Sequence, residues 1–168
     1  MARYFLDAEF FENGTTIDLI SIAIVCEDGR ELHCVNADFD IDAYERWAKT
    51  TGDDWIDKNV LRHLPLSDWL PKQAIRDKVT ALVGDDPKPE FWGFVSAYDW
   101  VIVCQLYGRM IDMPKNFPKH CNDLKQWQAQ LGAPKFPKPA NAHDALVDAR
   151  WNRDYFNYLD LFDRNRHA

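Results

Sequence analysis

Arg3-Tyr4-Phe5-Leu6-Asp7-Ala8-Glu9-Phe10, followed after Glu12-Asn13-Gly14 by Thr16-Ile17-Asp18-Leu19-Ile20-Ser21-Ile22-Ala23-Ile24-Val25, is the stretch on which the fold turns. In the first run side chains alternate, placing Phe5, Asp7 and Glu9 on one face, because successive residues of an extended chain point to opposite sides. Asn13-Gly14 supplies a turn. The second run is nearly continuously apolar and β-branched, the composition of a strand covered on both faces. A buried sheet therefore begins at the start of the chain, and its first strand carries a pair of acids.

Outward from there, Asp28-Gly29 reads as a two-residue hairpin turn into a third strand, Glu31 to Asn36. That register sets Cys26 opposite Glu31 and Cys34 opposite Ala23, with the two sulfurs on opposite sheet faces, so no disulfide is expected between them. Cys26, Cys34, Cys104 and Cys121 show no C-x-x-C spacing and read as reduced, packed thiols. Two helical stretches are expected within 42–63. A third runs from Lys72 to Val83, with Ile75, Val79, Leu82 and Val83 on one side and Gly84 ending it. A strand from Glu90 to Val95 and a helix from Asp99 to Tyr107 follow. Next come a strand near Lys119 to Asn122 and a helix from Asp123 to Leu131, closed by Gly132. The Pro-rich Ala133 to Ala140 leads into a last helix from about Asp144 to Phe162. Without an internal repeat or a long linker, 168 residues make one α/β domain with a mixed sheet.

Apolar residues make up 46% of the chain, with seven Trp, six Tyr and ten Phe, which excludes a disordered segment. No apolar run reaches the roughly 20 residues that span a bilayer, and Met1 to Leu6 runs directly into a strand pattern, so a cytoplasmic location is expected. A formal charge of -7 argues against broad electrostatic capture of long nucleic acid. It leaves room for a metal-dependent nuclease, since bound cations cancel clustered carboxylates. The charge is uneven: between Pro114 and Pro139 there are five lysines, Lys115, Lys119, Lys125, Lys135 and Lys138, against the single acid Asp123. That stretch reads either as a solvated loop face or as a substrate-approach patch.

The chemistry starts at Asp7-Ala8-Glu9. Residues two apart on a strand share a face, so both carboxylates can reach one hard cation, although D-x-E is also ordinary surface charge. Asp99 follows a strand and opens a helix, where an acid serves either as a cap or as a ligand. His143-Asp144-Ala145-Leu146-Val147-Asp148 opens the last helix. Ala145 and Ala149, one helical turn apart beside Asp148, allow the helix to lie close to the sheet there. His143 taken alone reads as a surface or capping residue.

Taken in order, D-x-E on the first strand, a helix-opening Asp and H-x-A-x-x-D on the last helix resemble the DEDDh 3′-to-5′ exonuclease superfamily. Asp18-Leu19-Ile20-Ser21-Ile22-Ala23 is similar to its D-x-I-I-x-I second strand. The runs Leu6 to Phe10, Ser96-Ala97-Tyr98-Asp99-Trp100 and Ala142 to Asn152 look most like the bacterial polyadenylate-specific 3′-exoribonuclease group. The resemblance implies an α/β, ribonuclease-H-like mixed sheet of five strands flanked by helices. It implies a two-metal site loaded with Mg²⁺ or Mn²⁺ and held by Asp7, Glu9, Asp99 and Asp148, with His143 as general base. The implied substrate is single-stranded RNA or RNA with a 3′ overhang, with DNA also compatible, and relatives imply a homodimer. Phe10-Phe11 departs from the Thr-rich segment usual after the D-x-E. Phe10, Phe11 and Trp100 are candidates to stack on terminal bases, and Ser96 and Asn141 to bond a phosphate or ribose; core packing and loop polarity are the competing readings. An endonuclease on the same fold would not require His143, and a binding module would not need to bury uncompensated acids.

Overall fold

The computed structural model describes residues 1–140 and 143–166. Among them a six-stranded sheet runs through the centre, formed by β1 (Arg3–Glu12), β2 (Ile17–Cys26), β3 (Glu31–Asn36), β4 (Trp69–Leu70), β5 (Glu90–Gly93) and β6 (Asn122–Asp123). Its order is β4-β3-β2-β1-β5-β6, with β2 antiparallel to β1 and β3, and the β1–β5, β3–β4 and β5–β6 pairs parallel. The helices are α1 (Ile41–Thr51), α2 (Trp55–Asn59), α3 (Lys72–Val83), α4 (Ala97–Tyr107), α5 (Leu124–Leu131) and α6 (Ala145–Arg166). The mixed sheet with flanking helices is the expected α/β class and is consistent with a ribonuclease-H-like fold.

Two expectations need correction. The sheet has six strands where five were read, because β4 is only two residues long. A pair that short carries no periodic pattern; it exists because Val35 and Asn36 find Trp69 and Leu70 beside them. The hairpin register is also off by one. Cys26 N–H donates to Arg30 O at 2.8 Å and Gly29 takes φ of 93°, so the loop is the three residues Glu27, Asp28 and Gly29. Cys34 consequently pairs with Ile22, and both Cys26 and Cys34 lie in the same apolar cluster on one sheet face, four residues apart along the ladder. Both thiols are free.

The two sheet faces bury different helices. Tyr4, Leu6 and Ala8 of β1 pack with Ile75, Val79 and Val83 of α3 and with Ile102 and Val103 of α4. On the other face Phe5, Ala23 and Val25 meet Ala145, Ala149, Tyr155, Phe156 and Leu159 of α6. Ala145 and Ala149 are buried, which lets the start of α6 lie against β1 and β2. A third cluster joins Phe11 and Ile20 to Tyr44, Ile56 and Val60, which sit on and beside α1 and α2. Pairing shifts between Glu9 and Phe10, where Ile20 is the extra residue on β2. Each large apolar side chain fully buried this way contributes about 1.5–3 kcal/mol.

Candidate active site

β1 and β5 pair only along Arg3 to Phe5 and Glu90 to Trp92. Gly93 then lets β5 bend away: a Cβ there would meet Ser96 Cβ at 2.7 Å and Leu6 O at 3.2 Å. The next polar groups on that side of β1 are completed by side chains. Asn152 Nδ2 on α6 donates to Leu6 O at 2.8 Å, and Ala8 N–H donates to Asp99 Oδ1 on α4 at 2.8 Å. Where the strands part, a cavity of about 280 Å³ opens, lined among others by Asp7, Glu9, Asp99, His143 and Asp148.

Asp7, Glu9 and Asp148 each offer a carboxylate oxygen within 4.8 Å of the others. Asp99 lines the same cavity, held from the opposite side by its bond to Ala8 between the two strand acids. Burial pushes all four carboxyls up: Asp7 well above its ordinary value, Glu9 to about 8, Asp99 to about 6, and Asp148 upward against the His143 N–H bond that favours its charge. After burial, mutual repulsion is the chief cause for Asp7 and Glu9, whereas N–H bonds restrain the rise at Asp99. Like charges gathered in a half-buried cavity are costly without cations. An all-oxygen donor set of this spacing fits a hard divalent ion such as Mg²⁺ or Mn²⁺.

His143 stands at the mouth with φ of 73°, its N–H donating to Asp148 Oδ2 at 2.7 Å. Asp144 caps the helix that follows by accepting from Leu146 N–H at 2.9 Å and Val147 N–H at 3.1 Å. The His143 imidazole meets the Trp55 indole edge-on, with ring centroids 4.7 Å apart.

The sequence from residue 2 to 159 matches the family described as the 3′-5′ exoribonuclease Rv2179c-like domain. Among curated proteins, the chain is 41% identical over 155 residues to 3′-5′ exoribonuclease Rv2179c of Mycobacterium tuberculosis strain ATCC 25618 / H37Rv, covering 88% of this chain and 87% of the relative. It matches 3′-5′ exoribonuclease MT2234.1 of Mycobacterium tuberculosis strain CDC 1551 / Oshkosh to the same extent. The chain belongs to the Rv2179c-like 3′-5′ exoribonuclease domain family. The family match takes in every residue that converges on the cavity.

In this member of the Rv2179c-like family, the expected substrate contacts divide. Phe10 lines the cavity and meets Tyr98 edge-on at 5.7 Å. Phe11 does not reach it: the side chain is buried against Tyr44 and Trp47 beneath α1. Trp100 is likewise a core residue, packed on Phe91 in the cluster under α4. Ser96 is buried at the turn before α4, its N–H donating to Asp123 Oδ2 at 2.9 Å. Apolar packing claims the two rings and turn geometry claims the serine. Asn141 lies outside the described residues. Sequence reasoning missed Trp55, Phe94, Val95, Trp151 and Asn152 as lining residues. Asn152 lies four positions after Asp148, one helical turn on, and that spacing could have found it. Nothing local marks Trp55, which α2 delivers from far away in the sequence.

Proposed function

We propose that this chain is a metal-dependent 3′-to-5′ exoribonuclease of the DEDDh type, releasing 5′-mononucleotides from single-stranded 3′ ends, with the adenine preference of the polyadenylate-specific group. The whole chain is one catalytic domain, acting in the cytoplasm as a homodimer, in keeping with the resemblance. The reading rests on one observation: Asp7 and Glu9 of β1, Asp99 of α4, and His143 and Asp148 at the start of α6 line a single cavity.

Asp7, Glu9 and Asp148 would hold one divalent cation, and Asp7 with Asp99 a second. The cations supply charge neutralisation at the phosphate and ease deprotonation of the attacking water. His143 accepts that water's proton at an imidazole nitrogen, a contribution worth about 10²- to 10⁴-fold in rate. Asp148 fixes His143 through its backbone N–H, and Asp99 fixes the strand between the other two acids. A cavity of about 280 Å³ lies at the small end of ligand pockets, which suits one terminal nucleotide better than a continuous strand.

The test is product analysis on matched RNA and DNA oligonucleotides with Mg²⁺ or Mn²⁺. RNA with a 3′ overhang should shorten one nucleotide at a time, release 5′-mononucleotides and stall at a 3′-phosphate. His143→Ala should lose about 10²- to 10⁴-fold in kcat while still binding metal. Internal cuts in circular RNA would replace the exonuclease reading by an endonuclease.

A further inference from the structure

We infer that Lys138 is the residue that receives the phosphodiester of the terminal nucleotide, making it a substrate-binding residue of the same site; this rests on the exoribonuclease reading above. Of the five lysines between Pro114 and Pro139, Lys138 is the one that lines the cavity. Among the described lining residues it is also the only lysine or arginine, facing Asp7, Glu9, Asp99 and Asp148.

Its position is built. Lys138 sits between Pro137 and Pro139, whose rings restrict the backbone on both sides. The Trp151 indole N–H on α6 donates to Pro137 O at 2.6 Å and fastens the loop one residue before the lysine. The ammonium stands 5.5 Å from the centroid of the Phe94 ring, which favours a cation over its face. Phe94 is in turn edge-on to Trp151 at 5.1 Å, so the same tryptophan braces both the loop and the ring. Lys138 lies near enough to favour the charged forms of Asp7 and Asp148.

Charge balance states what the ammonium is for. Two divalent cations would balance four ionised carboxylates, so the loaded site would carry no net positive charge to match an incoming phosphodiester. A single fixed cation on the rim supplies that charge. A lysine is suited to this task because it acts as a point charge, with three donors for the non-bridging oxygens. Its side chain is solvent-exposed, so the interaction is formed with substrate and does not maintain the fold.

The experiment is a binding cycle that requires no turnover. Two labelled single-stranded RNA oligonucleotides are compared in Mg²⁺ by anisotropy, one with a charged phosphorothioate at the 3′-terminal linkage and one with a neutral methylphosphonate. The parent should bind the charged form about tenfold more tightly, the range of one charge-assisted hydrogen bond at an exposed site. In Lys138→Ala the preference should shrink several-fold, to the part that the cations supply, since two removals of one contact do not add. Lys138→Arg should restore part of it. An equal preference in parent and Lys138→Ala overturns the assignment. So does an unchanged preference combined with tighter Mg²⁺ binding in the variant, which would make Lys138 a mere counter-charge to the acids. Failure of the parent to bind either oligonucleotide, or to shorten RNA from the 3′ end, would instead remove the exoribonuclease reading. Melting curves of both variants, expected within about 1 °C of the parent for an exposed loop residue, exclude misfolding as the cause.

Discussion

Glu9 is 8% exposed and shares its surroundings with Asp7, Asp99 and Asp148, and burial followed by repulsion pushes its carboxyl from an ordinary 4.5 up to about 8. The metal-free folded protein therefore keeps a proton there that the unfolded chain has released. The stability cost of this acid is present above about pH 8 and is relieved as pH falls from 8 toward 4.5. Glu9→Gln, which cannot ionise, should melt above the parent in chelator at pH 9 by roughly 5 °C and show roughly half that gap at pH 6. An identical gap at both pH values, followed by circular dichroism, would deny that burial governs this group. The same residue shows what could be read early. The spacing in Asp7-Ala8-Glu9 placed two carboxylates on one face, and both do line the cavity. The fates of Phe10 and Phe11 could not be read, because adjacent aromatic residues look alike in sequence. Only the packing of α1 assigns Phe11 to the interior.

β5 runs into the turn that opens α4 with no room for a side chain at Gly93. Gly93 ends the strand where a Cβ would press on Ser96 and on the Leu6 carbonyl, so Gly93→Ala must shift the turn that carries Asp99. Overpacking of this kind costs about 1–3 kcal/mol. The variant should melt roughly 3–10 °C below the parent and lose activity through displacement of Asp99; a melting point within 1 °C would show that the turn absorbs a methyl group freely. Elements with local punctuation were legible: β3 and α3 fall at the expected bounds, since the Asp28-Gly29 turn before β3 and the Gly84 stop after α3 are local signals. β4 and the register of the first hairpin were not. The first depends on a neighbour that the local pattern does not contain, and the second on Glu27 joining a loop that Asp28-Gly29 alone would close in two.

At the scale of the molecule, a net charge of -7 coexists with a cavity in which Asp7, Glu9 and Asp148 gather closely enough to share a cation. Divalent ions that bind only the folded state should raise its stability by about 2.7 kcal/mol at a hundredfold excess over Kd, or roughly 5–10 °C in Tm. Asp148→Asn should lose most of that rise under calorimetry; an equal rise in variant and parent would remove Asp148 from the ligand set. Composition gave no hint that residues 7, 9, 99, 143 and 148 converge. Their order along the chain did so through the family resemblance, and the fold supplied the reason by bringing the ends of β1, α4 and α6 together. The point where β5 leaves β1 has one more effect. An unzipped seam in the middle of a sheet ordinarily invites a stray peptide to dock as an extra strand, but here the Leu6 carbonyl and the Ala8 amide are already engaged by Asn152 and Asp99. A polypeptide entering the crevice finds these two main-chain rungs taken, which favours guests that do not bind by backbone pairing.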